Sequence, residues 1–172
     1  RQMCIRDRLT TIGLNMFRKT TVGDNRARLT EVIKEGLKRS DVIIITGGLG
    51  PTVDDVTREA VADATGRELV LDPQLLRQIE EVFARRGRQM SPNNVRQTYI
   101  PTGAIPIENP RGTAPSFIVR NPQGMVIALP GVPHEMVYLT ENRVIPFLQR
   151  EFNLKGIIKS KTLRTCAIGE SN

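Results

Sequence analysis

The chain has 172 residues, 39% of them hydrophobic, which bounds it to one domain, or one domain and the start of another, with enough apolar material for a core. Aromatic residues make up only 4% and Trp is absent, which weighs against stacking platforms for single-stranded nucleic acid. The formal net charge is +7, but the basic residues are spread through helices as a solvated face rather than gathered into a patch, and no apolar run reaches membrane-spanning length.

In chain order, Met3-Cys4-Ile5-Arg6-Asp7-Arg8 resembles a translated sequencing-adapter read. Residues 1–8 are therefore expected to form a tail outside the fold, without regular structure and packed against nothing. Arg1, Arg6, Arg8 and Asp7 account for a net +2 of the charge. Cys4 and Cys166 have no metal-ligand spacing and suggest a reducing compartment, so a cytoplasmic location is expected.

Lys19 to Val22 reads as a strand, and Gly23-Asp24-Asn25 as a turn and helix cap. Leu29, Val32, Ile33, Gly36 and Leu37 then fall on one helical face. Four β-branched residues, Val42 to Ile45, predict a buried strand ending in the turn Thr46-Gly47-Gly48-Leu49-Gly50. Thr52 to Asp55 has capping-box spacing, and a helix is expected from about Val56 to a C-cap at Gly66.

Asp72-Pro73 opens a further helix with the apolar stripe Leu75, Leu76, Ile79, Val82 and Phe83, ended by Gly87. Ser91 to Asn94 reads as a cap and short helix, and Thr98 to Gly112 as loops around short extended pieces. Ser116–Arg120 and Met125–Leu129 read as strands joined by the hairpin turn 121–124. Pro130 to Pro133 breaks the chain before a helix from about His134 to Gln149, and Ile157 to Thr165 reads as a strand leading out of the unit. This alternation predicts an α/β fold with a mostly parallel sheet and an antiparallel edge hairpin.

Strand, glycine turn and helix start together form an anion site. Glycines let backbone N–H groups approach a phosphate, and the helix dipole favours negative charge. Asp54 and Asp55 in the same place would repel a bare phosphate, a conflict that a divalent cation removes; Mg²⁺ favours such mixed ligation. No Gly-Lys-Ser/Thr follows the glycines, and the G-x-G-x-x-G spacing is absent, so neither a P-loop nor a dinucleotide-fold fingerprint is present. The plainer alternative is a tight turn before a well-capped helix.

Ligands of open α/β sheets bind beyond the carboxyl ends of strands. Two other loops qualify: the one with Asp24 and Asn25, and Pro130 to Glu135. Asp24 reads equally as a helix cap. Glu135 in a first helical turn is otherwise only favourable to the dipole. Gly112-Thr113-Ala114 could line a ligand or form a plain turn, and Asn93-Asn94 offers amide groups or caps a helix. His134, the sole histidine, has no nucleophile motif beside it and makes a weak triad argument.

Thr46-Gly47-Gly48-Leu49-Gly50-Pro51-Thr52-Val53-Asp54-Asp55-Val56-Thr57 resembles the signature of the molybdopterin-binding-like domain of the MoaB/Mog fold, in the variant found in the CinA (competence/damage-inducible) family. Thr20 to Asn25, Arg86 to Arg88, Asn93-Asn94, Asn109 to Pro115, Leu129 to Met136 and Gly169-Glu170-Ser171 are similar to that family as well. The resemblance implies a three-layer α/β/α domain over residues 9–150 without the family's first strand and helix. Residues 151–172 would begin the following middle segment, and no C-terminal amidohydrolase domain is present to support deamidase activity.

The activity implied is metal-dependent pyrophosphatase action on ADP-ribose-type nucleotides. Asp54 and Asp55 would hold the metal, with Mg²⁺ expected, or orient water; Asp24 is a further catalytic candidate. Backbone N–H groups of Gly47 to Gly50 would hold the diphosphate. Thr46, Thr52, Thr57, Asn25, Asn94, Gly112, Thr113, Pro130, Gly131 and Glu135 complete the expected nucleotide site. The partners expected are a small-molecule nucleotide and further copies of the chain in a homo-oligomer, with neither nucleic acid nor membrane. Two alternatives use the same sequence: molybdopterin binding or adenylyl transfer in molybdenum-cofactor synthesis, and a non-catalytic module linked to DNA uptake or repair.

Overall fold

The computed structural model describes residues 2–154 and 156. The main sheet is built from β1 (Val42–Thr46), β4 (Ile105–Ile107), β5 (Ser116–Asn121) and β6 (Gly124–Leu129), in the order β1-β6-β5-β4. A second pair, β2 (Leu69–Leu71) with β3 (Tyr99–Pro101), is antiparallel. The helices are α1 (Gln2–Thr11), α2 (Arg26–Leu37), α3 (Thr57–Thr65), α4 (Pro73–Arg85), the short α5 (Pro92–Val95), α6 (Pro133–Leu139) and α7 (Ile145–Glu151).

Side-chain alternation divides the sheet into two apolar faces. Met125, Ile127, Leu129 and Ile118 meet Met136, Leu139 and Leu148 of the α6–α7 region, with Val42 and Ile44 packed alongside. Val126, Ala128, Phe117 and Val119 meet Ile33 and Leu37 of α2, Ala60 and Val61 of α3 and Leu75 of α4, with Ile43 and Ile45 alongside. Helices on both faces give the expected three-layer α/β/α arrangement. The expected helix from His134 to Gln149 is interrupted by a π turn at Thr140–Val144. Pro146 has no N–H to continue the i→i−4 ladder, and the Ile145 N–H reaches back to Thr140 O instead.

The sheet is mixed. β1 and β6 are parallel, from Val42 opposite Met125 to Thr46 opposite Leu129, while β5 pairs antiparallel with both β6 and β4. The β5–β6 hairpin therefore lies inside the described sheet rather than at its edge, because β6 also pairs with β1. The outer strand is β1 itself. Its β-branched run predicts burial, yet all five residues are half-buried: helices cover both faces, but only β6 pairs along its length.

Two further expectations fail. Lys19 to Val22 is irregular, with Lys19 to Thr21 exposed, because no strand lies beside it to complete a ladder. The N-terminal stretch is not a loose tail. Gln2–Thr11 is helical, and Ile5, Leu9 and Ile12 are buried in the α6–α7 face of the core. These three positions follow i, i+4, i+7 spacing, which places them on one helical stripe. Arg8 on the same helix pairs with Glu141. The expected strand at 157–165, Cys166 and the 169–171 motif lie outside the described residues. No helix among the described residues is long and apolar enough to cross a membrane.

Candidate functional site

Because β1 and β6 run parallel, the loops that leave their carboxyl ends sit side by side. The Gly47 N–H donates to Leu129 O at 2.9 Å, extending the ladder by one rung into the loop. A Cβ on Gly131 would lie 3.2 Å from the Gly47 Cα, so the two loops touch at glycines. Together they wall a cavity of about 450 Å³. Gly47, Gly48, Leu49, Gly50, Pro51 and Asp55 form one side, and Pro130 to Pro133 with Glu135 the other; Thr113, Ala114 and Gln97 close it.

The glycine turn is fixed from beneath. Gly47 (φ 99°) and Gly48 (φ 68°) both occupy the left-handed region that favours glycine. Thr57, the first residue of α3, donates its hydroxyl to Gly47 O at 2.9 Å and its N–H to Gly48 O at 3.2 Å. A Cβ on Gly48 would lie 2.2 Å from Thr57 Oγ1. Further along, Arg58 is only 2% exposed and donates to Leu49 O at 2.7 Å and Gly50 O at 2.8 Å. Burial pulls the Arg58 guanidinium below its ordinary value, against the opposing fields of Glu59 and Asp55. Nothing in the local sequence marks Arg58 for this role: an arginine in a first helical turn ordinarily reaches solvent.

Thr52 and Asp55 do not cap α3, whose N-cap is Val56. They close a separate turn before it. The Asp55 N–H donates to Thr52 O at 3.2 Å, and Asp55 Oδ2 accepts from the Thr52 N–H at 3.0 Å and the Thr52 hydroxyl at 2.5 Å. Burial alone would raise the Asp55 carboxyl. Hydrogen bonds from the Thr52 hydroxyl and the Gly50 and Thr52 N–H groups, with the charge of Arg58, outweigh it and hold the carboxyl below its ordinary value. Asp54 is exposed and outside the cavity wall, so the loop brings one of the adjacent acids to the site and not both.

The opposite wall supplies a second carboxylate. Glu135 is 8% exposed, and its Oε2 accepts from Asn109 Nδ2 at 2.6 Å. Asn109 is fully buried; it also donates to Ala114 O at 3.0 Å and accepts from the Arg111 N–H at 3.1 Å. It thereby sets the loop 109–114 against α6. A Cβ on Gly112 would meet the Glu135 carboxylate at 2.2–2.5 Å. Asn109 is a site residue that the sequence alone does not single out; its place in the Asn109–Pro115 motif is the available signal.

Of the remaining expected residues, Thr113, Pro130, Gly131, Gly47, Gly48 and Gly50 line the cavity, while Gly112 abuts Glu135. Thr46 ends β1, and Thr57 and Thr52 act through the turns already described. Asn94 lies outside the wall, but its Nδ2 donates to Oε1 of the lining residue Gln97 at 3.3 Å. Asn25 caps α2, accepting from the Arg28 N–H at 3.0 Å, and Asp24 beside it is exposed; neither reaches the cavity wall. The cap role falls to Asn25 and not to Asp24.

The wall has a distinctive charge pattern: two carboxylates, Asp55 and Glu135, and no Lys or Arg. No group of three or more His, Cys, Asp or Glu among the described residues could hold a metal as an all-protein cage. Two carboxylates and an anionic ligand nevertheless suit Mg²⁺, which binds through one or two protein carboxylates and the phosphates of a substrate. Two of the backbone donors expected for a diphosphate are already engaged, Gly47 by Leu129 O and Gly50 by Asp55.

Known proteins share this arrangement. Residues 2–150 match the family model described as "Probable molybdopterin binding domain". The chain is 45% identical over 165 residues to a competence-damage inducible protein of Halothermothrix orenii, covering 96% of this chain and 40% of that protein. It is 47% identical over 165 residues to one of Symbiobacterium thermophilum, covering 95% and 39% respectively. The chain thus spans about two fifths of the length of these curated relatives. Among solved structures, the protein CinA of Thermoplasma acidophilum, described as of unknown function, superposes with a TM-score of 0.74 at 32% identity, covering 88% of this chain and 85% of that one. The molybdopterin biosynthesis enzyme MoaB of Thermus thermophilus shares the fold, with a TM-score of 0.56 at 18% identity, covering 89% and 82%. The chain belongs to the molybdopterin-binding-domain family, in its CinA, competence-damage-inducible branch.

Proposed function

We propose that the glycine-walled cavity binds the diphosphate of an ADP-ribose-type nucleotide together with a divalent cation, and that the protein hydrolyses the linkage between the two phosphates. The observation that carries this reading is the pairing of Asp55 and Glu135 across a glycine loop with no Lys or Arg in the wall. A diphosphate there needs its charge balanced by something the protein lacks, and two carboxylates are the groups that would recruit it. When bound, the cation neutralises phosphoryl charge and lowers the pKa of a bound water.

The chain's own residues do the rest. The unengaged donors of the glycine loop hold phosphate oxygens without side-chain bulk. Asp55 stays ionised through its hydrogen bonds. Asn109 keeps the Glu135 carboxylate turned to the cavity, where it orients a water toward phosphorus. Water adds across one P–O bond of the bridge, and two monophosphates leave.

Purified protein incubated with ADP-ribose, with and without Mg²⁺, tests this by chromatography of the products. AMP and ribose 5-phosphate are expected only with the cation, and Glu135→Gln should lower turnover by roughly a hundredfold or more with little change in melting temperature. Absence of turnover under any divalent cation overturns it. A second reading, molybdopterin binding or adenylyl transfer, is favoured by the family description and the MoaB-type fold. Binding of molybdopterin without ADP-ribose hydrolysis would select it.

A further inference from the structure

A second cavity, of about 610 Å³, opens on the far side of Pro133, which lines both cavities. Arg111, His134, Val137 and Tyr138 lie on its wall. The Arg111 guanidinium sits 4.5 Å from the Tyr138 ring centroid. Tyr138 is half-buried and packs against the apolar cluster beneath it, so the ring is anchored and Arg111 is layered over it. The result is a flat cationic shelf in a chain with only two Tyr and no Trp. Asn109 connects the two cavities: its Nδ2 holds Glu135 in the first, and its Oδ1 holds the backbone of Arg111 at the second.

We propose that this second cavity takes the nucleobase end of the nucleotide, with the base stacked on the Arg111–Tyr138 shelf. The inference rests on the diphosphate reading of the first cavity and adds the part of the ligand that gives selectivity. A planar base has a π-face that stacks on a guanidinium whatever its edge pattern. Arg111 is exposed and supplies beside the site the positive charge that the first cavity lacks. Polar groups at the rim, Asn142 among them, can meet the edge of the base. An extended nucleotide would run over Pro133, diphosphate on one side and base on the other.

The test is calorimetric binding to the purified protein in Mg²⁺, with ADP-ribose and AMP as base-bearing ligands and ribose 5-phosphate and pyrophosphate as baseless ones. Arg111→Ala, Arg111→Lys, Tyr138→Ala and Tyr138→Phe are compared with wild type. Arg111→Ala and Tyr138→Ala should weaken the base-bearing ligands by about tenfold, the size expected for one lost stack, and change the baseless ones by less than about twofold. Arg111→Lys keeps the charge but loses the plane, and should behave like Arg111→Ala; Tyr138→Phe keeps the shelf and should behave like wild type. Because Arg111 is exposed, its variants report even if Tyr138→Ala fails to fold.

Equal weakening of pyrophosphate and ADP-ribose by Arg111→Ala would make Arg111 a phosphate anchor and overturn the proposal. So would unchanged affinity for all four ligands. Arg111-dependent binding of AMP without any hydrolysis would sink the pyrophosphatase reading and leave the base site standing. Normal hydrolysis of ADP-ribose with no dependence on Arg111 would do the reverse. A wild-type protein that binds none of the four overturns both.

Discussion

Asn109, fully buried, donates from Nδ2 to Oε2 of Glu135 across 2.6 Å, joining residues 26 apart in sequence. The same amide holds Ala114 O and the Arg111 N–H, so one side chain fixes a loop and a carboxylate at once. Asn109→Ala leaves these groups without their partner in the interior. It should cost about 1–3 kcal/mol of stability, the usual penalty for an orphaned buried group. Thermal unfolding checks this, with Glu135→Gln as comparison, since the amide oxygen introduced there can still accept from Asn109. An unchanged melting temperature for Asn109→Ala would mean that water replaces the amide at no cost.

Gly48 is held by sterics from within the turn rather than from the ligand side. The sequence suggests that Gly48→Val would block phosphate while sparing much of the fold. The structure points the other way: the Cβ would strike Thr57 Oγ1 at 2.2 Å, from a backbone at φ 68°. Gly48→Ala should therefore destabilise by about 1–3 kcal/mol, whereas Gly47→Ala, whose nearest atom is 4.0 Å away, should cost only the left-handed backbone strain of about 1 kcal/mol. Urea unfolding of both variants separates the two effects. Adding Thr57→Ala removes the obstructing hydroxyl, so the double variant Gly48→Ala/Thr57→Ala should lose less than the sum of its singles.

Asp55 predicts a direction for acid sensitivity. Its carboxyl lies below the ordinary value in the folded chain, so the unfolded chain binds the proton more readily. The stabilisation is fully present above the unfolded pKa of about 3.9 and is lost as pH falls through the lower folded value. Asp63, lowered by its hydrogen bond with Arg26, contributes in the same sense. Asp55→Asn should melt earlier than wild type at pH 7, with the gap narrowing below about pH 4. A gap that stays constant down to about pH 2 would show that the charge of Asp55 does not stabilise the turn.

The glycine turn, the strand before it and the helix after it are legible in the sequence because their causes are local. β-branched residues favour an extended chain, two glycines permit left-handed turns, and Thr57 and Gly66 bracket a helix. The two-residue alternation of β5 and β6 is legible for the same reason. The start of α3 is not, because Thr52 and Asp55 carry capping-box spacing but spend their hydrogen bonds on a turn of their own.

Local sequence also misleads at the ends of the sheet. Lys19 to Val22 has strand composition but no neighbour to pair with, and residues 2–8 look foreign yet belong to a helix whose apolar stripe the core can bury. Pairing and burial are properties of what lies alongside, which no window of sequence contains.

By itself, then, the sequence determined the strand–turn–helix unit, the two-faced sheet and the anionic-ligand character of the glycine loop. Only the tertiary structure decided which acids share that cavity. Asp55 and Glu135 meet because β1 and β6 run parallel, so their carboxyl ends emerge together, while Asp54 turns out to be exposed on the outer side of a tight turn. Neighbours in sequence are separated by one turn of backbone, and residues far apart are joined by strand register and a buried amide.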